Sequence, residues 1–261
     1  MTITLTYRGP DGSQWEYVGV DQGREGIVAA KVEGFVADPD VTFEPTPSQA
    51  GEMAAGWVLG SMKGTLDLNV SPLFLESDES LHRLYDRVGR SWSKLADGEL
   101  TWRSDAGVLM RTRARLDGVF PTPDKSPAGL GERLVRVGFP VRCLDGLWLG
   151  PVSQYAGTSQ VLNLGDLDGY PLVEWSGSGA KVAGPGIPTF TLPATAQTAV
   201  WDTDPATGGL VTIDGQPATA LRRLLRGRVA PTPIPAGQSA EWVFTGCTAV
   251  MQPKILNPWG R

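Results

Sequence analysis

Histidine and cysteine, which carry much of the nucleophilic and metal-binding chemistry of proteins, are almost missing from this chain of 261 residues. The sequence has one histidine, His82, and two cysteines, Cys143 and Cys247, which are far apart. One histidine cannot supply the several converging ligands of a zinc site, so we expect it to be a solvated surface residue. Two distant cysteines do not indicate a disulfide framework, and we expect both to be small buried hydrophobic residues.

Basic charge and long apolar stretches are also limited. The 23 Lys and Arg residues, only six of them Lys, stand against 28 Asp and Glu, which gives a net charge of −5. A nucleic-acid-binding domain usually carries a basic surplus, so we expect no specific nucleic-acid partner. No apolar run approaches the roughly 18 residues of a membrane span, and residues 1–7 lack the features of a signal peptide. We therefore expect a protein that is made in the cytoplasm and has no membrane partner.

The chain is rich in turn-forming residues, which separate short segments of alternating apolar and polar residues. Its 33 Gly and 21 Pro residues punctuate segments with strand periodicity, which predicts a mainly β protein. We expect two domains: a β-rich domain with one α-helix at residues 1–150, and a β-sandwich at residues 151–261. The second half has the strand spacing of about 8–12 residues that is typical of sandwiches. Its predicted elements are strands at 159–164, 171–176, 187–192, 198–203, 209–214, 240–245 and 247–255, and a helical turn at 220–226.

One helix is predicted in the first half, from Ser77 to Val88. Ser77 or Asp78 is expected to cap its start, and Gly89 is expected to end it. Apolar residues at positions i, i+3, i+4 and i+7 form a single stripe along the helix. The stripe consists of Leu81, Leu84, Tyr85 and Val88.

Two long loops interrupt the first half, at residues 38–51 and 121–131. The first contains Val41 and Phe43, and its prolines and acidic residues argue against a central strand. Residues 57–59 and 63–70 predict a strand pair or one long bulged strand. Loops of this length inside a compact domain are often functional or become ordered against a partner.

A ladder of arginines alternates with smaller residues in the first half. Arg111, Arg113 and Arg115 share one face of one predicted strand, because side chains in a strand alternate with period two. Arg103 and Arg136 on neighbouring strands are candidates to extend it. A solvated strand face is one interpretation, since antiparallel sheets often keep one face wet. A subunit contact with carboxylates of a neighbour is a second, and a phosphate-binding face is the weakest because the chain is acidic.

Catalytic arrangements are not apparent. The carboxylates of the second half (Asp166, Asp168, Asp202, Asp204 and Asp214) stand beside Gly and Pro, where Asp forms local turn bonds. A glycosidase-like enzyme would need two carboxyls that face each other across a cleft. The sequence has neither a nucleophile elbow nor a phosphate-binding loop in the required context. We expect no catalytic, cofactor-binding or metal-binding residues.

Three tryptophans fall in predicted strands of the second half, and they leave two interpretations open. Trp175, Trp201 and Trp242 could form an exposed aromatic platform for sugars, or they could be buried in the core. Burial is favoured because tryptophan is highly buried on average.

The order and spacing of several short phrases resemble the distal tail proteins of long, non-contractile-tailed phages, in the form seen in phages of actinobacteria. In the second half these phrases are NLGD (163–166), PLVEWSG (171–177), WDT (201–203), VTIDG (211–215), PIPAG (233–237) and NPW (257–259). In the first half they are YRGPDG (7–12) and WVLGSMKGTLDL (57–68). The resemblance implies a belt domain that forms a ring, usually of six copies, and a galectin-like β-sandwich.

From this resemblance we expect a structural virion protein at the distal end of the tail. It would be a hexameric adaptor ring between the tail tube protein and the hub or fibre proteins, with a central channel for the genome. The tape measure protein is a further candidate partner. The alternative is a carbohydrate-binding tail protein or adhesin that contacts the host surface. The candidate subunit-interface residues are Arg111, Arg113, Arg115, Val41 and Phe43.

Overall fold

The computed structural model of the protein describes residues 3–45, 52–75, 79–122, 133–225 and 231–260. Strands account for 50 % and helices for 11 % of the structure, which confirms the prediction of a mainly β fold. The chain divides into two compact units. The first comprises Met1–Trp148 with Leu256–Arg261, and the second comprises Leu149–Ile255. That these units are the ring-forming belt and the galectin-like sandwich stays a prediction.

The first unit is built on an antiparallel sheet. Its main path follows the order β2-β1-β7-β8-β9-β6-β3, and β10 pairs with β8 beside this path. Strands β4 and β5 form a separate two-stranded sheet. The bounds are β1 (Thr4–Arg8), β2 (Gln14–Val18), β3 (Ile27–Gly34), β4 (Asp40–Pro45), β5 (Glu52–Val58), β6 (Met62–Val70), β7 (Gly98–Arg103), β8 (Leu109–Leu116), β9 (Val135–Cys143) and β10 (Trp148–Leu149).

Alternation along the strands of this sheet separates a buried face from a solvated one. In β6 the apolar residues Leu66, Leu68 and Val70 are fully buried, and the residues between them are more exposed. This is the period-two pattern of a sheet with one face in the core. The two ends of the path, β2 and β3, lie close to each other, so the sheet is curled.

The helix α1 (Leu81–Ser91) packs its apolar stripe into the core of the first unit. Leu81, Leu84, Tyr85 and Val88 are buried, as the predicted stripe requires. The side chain of Ser80 caps the helix by accepting a hydrogen bond from the main-chain N–H of Arg83. The predicted start was therefore wrong, and the predicted caps Ser77 and Asp78 lie outside the described residues.

The predicted end of α1 was also wrong. Gly89 lies inside the helix, which continues to Ser91. A Cβ at position 89 would lie 3.1 Å from the Phe120 ring, which is a tight contact that a glycine avoids. His82 is on the exposed face of the helix, as expected.

The segment predicted as a loop around Val41 forms one arm of a β-hairpin. Strand β4 pairs with β5 in antiparallel register, with Val41 opposite Trp57 and Asp40 opposite Val58. Two of the sequence predictions are corrected here: residues 40–45 are a strand, and residues 57 and 58 pair with β4 and not with β6. The predicted loop at 121–131 lies almost wholly outside the described residues.

The second unit contains a sheet in the order β14-β13-β18-β12-β15-β16-β17, and β11 pairs with β18 beside this path. A short helix, α2 (Thr219–Leu225), follows β17 and confirms the predicted helical turn. The strand bounds are β11 (Ser153–Leu162), β12 (Leu172–Gly177), β13 (Lys181–Gly184), β14 (Ile187–Thr191), β15 (Thr195–Asp202), β16 (Val211–Ile213), β17 (Gln216–Pro217), β18 (Ser239–Met251) and β19 (Lys254–Ile255).

The long strand β18, which the sequence predicted as two strands, has two backbone irregularities in its pairing with β11. The register between β11 and β18 shifts at Gly157, and Gly246 in β18 has a positive φ of 64°. On either side of Gly246, β18 pairs with β13 and then with β12. Glycine adopts this backbone conformation without steric cost, so it forms a bulge here and does not end the strand.

Candidate subunit interface

The three predicted ladder arginines share the solvated face of β8. Residues that alternate with them are buried, so the period-two prediction for this strand is confirmed. The side chains of Arg111 and Arg113 are 53 % and 57 % exposed, and that of Arg115 is 33 % exposed. The buried residues of the strand are Met110, Thr112, Ala114 and Leu116.

Carboxylates of the same chain accompany each ladder arginine. Arg113 has a charged nitrogen 2.7 Å from Oδ1 of Asp145, and Arg115 donates from Nε to Asp97. Arg111 is 4.0 Å from Glu99 on β7, which is the loosest of these pairs. The ladder is therefore charge-balanced within the chain, and its arginines do not depend on a neighbour for counter-charges.

The pKa shifts in the ladder follow from these pairs. The hydrogen bond from Arg115 lowers the pKa of Asp97 below its ordinary value, and the positive charges of Arg115 and Arg113 act in the same direction. The hydrogen bond and charge of Asp145 raise the pKa of Arg113. Both shifts favour the charged forms, so the ladder keeps its ion pairs across the physiological pH range.

Arg142 extends the ladder across the sheet, although the sequence did not single it out. It lies directly opposite Arg115 in the register between β8 and β9. Its guanidinium donates to both oxygens of Asp117, at 3.0 and 3.1 Å. The alternation of exposed residues along β9 could have indicated it, but the register to β8 is not encoded locally.

The two predicted additions to the ladder lie elsewhere on the same sheet. Arg103 is opposite Leu109 at the start of β8. Arg136 is opposite Asn69 on β6 and donates to Asp67 at 2.9 Å. Neither lies directly opposite one of the three ladder arginines, whereas Arg142 lies opposite Arg115.

The other two candidate residues, Val41 and Phe43, lie on the β4–β5 hairpin. Val41 is half-buried, and the side chain of Phe43 is outside the described set. Within the described residues the hairpin pairs with no further strand. Val58 on β5 is 69 % exposed. The structure thus places the two groups of candidate residues on two separate sheets of the first unit.

Two of the carboxylates that could serve a glycosidase-like site, Asp202 and Asp204, form local turn bonds. Oδ1 of Asp202 accepts from the main-chain N–H of Asp204, and Oδ1 of Asp204 accepts from that of Ala206. This confirms the turn interpretation for these two residues. Across the described residues, no cluster of three or more side chains suited to a metal ion occurs.

The three tryptophans of the second unit are core residues. Trp175 and Trp201 are 2 % exposed and Trp242 is fully buried, which confirms the burial prediction. They pack in one cluster with residues such as Val173 and Phe244. The exposed aromatic platform that the carbohydrate-binding alternative requires is therefore not formed by these residues.

The cysteines behave as predicted. Cys143 and Cys247 are both free and buried. Burial raises the pKa of the Cys143 thiol to about 12 and also raises that of Cys247. Within the described part of the chain, no helix is long and apolar enough to cross a membrane.

Solved structures that resemble this one include proteins of phages. No protein-family model and no curated protein sequence matches the chain. The SPP1 Dit (gp 19.1) protein, described as a paradigm of the hub adsorption apparatus in phages that infect Gram-positive bacteria, matches with a TM-score of 0.61 and 14 % identity. The match covers 97 % of this chain and 99 % of that one.

Two structures of the phage P2 baseplate in its activated conformation also match over 97 % of this chain. The one with Ca has a TM-score of 0.49 and 10 % identity and covers 99 % of its own chain. The one with Sr has a TM-score of 0.48 and 8 % identity and covers 98 %. The match to SPP1 Dit, at a TM-score of 0.61, confirms as a likeness of fold the resemblance to distal tail proteins that the sequence predicted.

Proposed function

We propose that this protein is a structural component of a phage tail tip, a ring-forming adaptor with no enzymatic activity. The observation that carries the proposal is the likeness of fold to SPP1 Dit, which extends over 97 % of this chain and so includes both units. Function by assembly also agrees with a sequence that offers a single histidine and two buried thiols for chemistry.

The first unit supplies the ring contacts in this proposal. An isolated two-stranded hairpin is at best marginally stable in water, so the β4–β5 hairpin is suited to pairing with, or packing on, a second copy. Val41 and Phe43 are its candidate contact residues. A head-to-tail contact that repeats with the right rotation closes a ring, usually of six copies in the phage proteins that the sequence resembles.

The arginine ladder contributes a second surface in this proposal. Arg111 and Arg113 are each more than half exposed, and both have a carboxylate partner in their own chain. A neighbouring subunit that docks here meets a charge-balanced polar face. Such a face determines which alignment of the two subunits is favoured more than it increases their affinity. Arg115 and Arg142 lie opposite each other at one end of this face, and each donates to an aspartate of its own chain.

The assembled ring would join the tail tube protein to the hub or fibre proteins at the distal end of the virion tail. The genome would pass through its central channel, and the tape measure protein is a further candidate partner. The second unit would be a galectin-like module of the ring protein. We propose no glycan site for it, because its three strand tryptophans are buried.

Native mass spectrometry of the full chain at high concentration tests the ring directly. The expected result is a closed oligomer, with six copies as the leading expectation. Electron microscopy of assembled tails with this chain labelled tests its position. A chain that stays monomeric at all concentrations and is absent from the tail tip would overturn the proposal.

A further inference from the structure

Residues 34–37 lead from β3 toward β4, and we call them the root of the β4–β5 hairpin. One of them has an unusual backbone conformation. Phe35 follows the last residue of β3 and has a φ of 58°, in the left-handed region that non-glycine residues rarely adopt. Its ring is buried against Gly64, where an added Cβ would lie 2.5 Å from the ring. Its main-chain N–H donates to the carbonyl of Lys63 at 3.0 Å. Such conformations persist only where the surroundings determine them.

The chain passes from the first unit to the second and back again, and residues beside both crossing points form hydrogen bonds with this root. The chain leaves the first unit after Trp148 and returns at Leu256. Trp148 donates from its indole N–H to the carbonyl of Phe35 at 2.8 Å. The main-chain N–H of Ala37 donates to the carbonyl of Leu256 at 2.8 Å. The hairpin root therefore lies between the two flanking segments of the first unit.

A third hydrogen bond comes from the end of the chain. Trp259 donates from its indole N–H to the carbonyl of Gly34, the last residue of β3, at 3.2 Å. Its ring meets the ring of Trp102 edge-on with the ring centroids 4.2 Å apart, and the centroids of the Trp148 and Trp102 rings are 6.2 Å apart. Trp148 and Trp102 are buried, whereas Trp259 is 37 % exposed.

We propose that Trp148 and the segment Leu256–Gly260 form a clasp that fixes the root of the β4–β5 hairpin. Because the clasp residues adjoin the two links to the second unit, changes in the tension or order of those links act on the hairpin. A two-stranded hairpin has little stability of its own, so its root determines how rigidly it is held. The consequence of the clasp for ring assembly rests on the proposed function, whereas its effect on hairpin order does not.

Hydrogen–deuterium exchange of the full chain, measured by mass spectrometry, tests the clasp. Trp148→Phe and Trp259→Phe each remove one indole N–H donor and keep an aromatic ring. Trp102→Phe is the matched control, because its indole N–H is buried in the same cluster without a hydrogen-bond partner. We expect exchange in β4 and β5 to become roughly three- to tenfold faster in the first two variants, as for one lost hydrogen bond. Exchange in the helix α1 should not change.

The outcomes separate the clasp from general destabilisation. Unchanged exchange in the hairpin of both clasp variants would overturn the proposal. Equal acceleration in Trp102→Phe, or acceleration that extends to the helix α1, would overturn it as well. If Trp148→Phe fails to fold, Trp259→Phe still decides, since its ring is partly exposed. Native mass spectra of the same samples test the ring separately: a monomeric parent with an accelerated hairpin in the variants would refute the ring and support the clasp.

Discussion

Arg113 holds the carboxylate of Asp145 with both its main chain and its side chain. The main-chain N–H of Arg113 donates to Oδ2 at 2.7 Å, and its Nε donates to Oδ1 at 2.8 Å. Asp145 lies in the turn between β9 and β10, so this contact ties that turn to β8. The arginine that strand periodicity indicates as an interface residue is thus also a structural anchor of its own subunit.

Removal of the Asp145 carboxylate is expected to destabilise the first unit. Asp145→Ala leaves the main-chain N–H and the guanidinium of Arg113 without this acceptor, at a cost of about 1–2 kcal/mol in the free energy of unfolding. Arg111→Ala is the control, because its ion pair with Glu99 is long and exposed and should contribute less than about 0.5 kcal/mol. Chemical denaturation of both variants measures the difference, and equal effects would contradict the anchoring role of Asp145.

Two carboxyls are expected to give the protein opposite responses to pH. The hydrogen bond from Arg115 lowers the pKa of Asp97 in the folded state. Its contribution to stability is therefore fully present above the ordinary pKa of about 4 and is lost as the pH falls through the lower folded value. Asp97→Asn should reduce stability at pH 7 and flatten the loss of stability in acid.

Asp202 is expected to behave in the reverse way. Burial raises its pKa, so folding favours the protonated form, and stability falls as the pH rises from about 4 through the higher folded value. Asp202→Asn keeps an oxygen that accepts from the N–H of Asp204 and removes the buried charge. It should therefore match or exceed the parent in stability at pH 7. Unfolding of Asp97→Asn and Asp202→Asn measured at pH 3, 5 and 7 tests both predictions. If both substitutions lowered the free energy of unfolding at pH 7, or both raised it, the opposite pKa shifts of the two carboxyls would be contradicted.

The alternation of side chains was predictable, but the partners of those side chains were not. Period two is a local property, so it correctly predicted that Arg111, Arg113 and Arg115 share one face of β8. The acceptors Asp97 and Asp145 lie 18 residues before Arg115 and 32 residues after Arg113. Only the register of β7, β8 and β9 brings them together, and that register depends on contacts between distant parts of the chain.

The wrong predictions have comparably specific causes. Pro39 precedes β4 and Pro45 is its last residue, and both lower the apparent strand propensity of a hairpin that stands outside the main sheet. Several residues before α1 are able to cap a helix, and the structure uses Ser80, immediately before the first apolar residue of the stripe. The predicted break between the strands at 240–245 and 247–255 falls at Gly246, which forms a bulge within β18 and does not end the strand.

Substitution of Gly64 is expected to disturb the hairpin root through Phe35. A Cβ at position 64 would lie 2.5–2.6 Å from three atoms of the Phe35 ring, which is buried and cannot move away freely. Overpacking of this kind typically costs about 1–3 kcal/mol. Gly60→Ala is the matched control, since a Cβ there meets no atom within 4 Å. Thermal unfolding of the two variants measures the cost, and a Gly64→Ala protein as stable as Gly60→Ala would show that the Phe35 ring is not confined.

Truncation of Trp242 distinguishes a core tryptophan from a sugar-binding one. The side chain is fully buried, its ring stacks near Phe244 at 5.9 Å, and the backbone of Gly184 approaches it closely. Trp242→Ala should therefore lower the free energy of unfolding of the second unit by about 3–5 kcal/mol. Leu224→Ala, at a position that is 47 % exposed in the same unit, should have a much smaller effect. A Trp242→Ala protein that keeps the stability of the parent and loses binding on a glycan array would contradict the core assignment and restore the adhesin alternative. A destabilised variant of a parent that binds no glycan would support the core assignment and contradict the adhesin alternative.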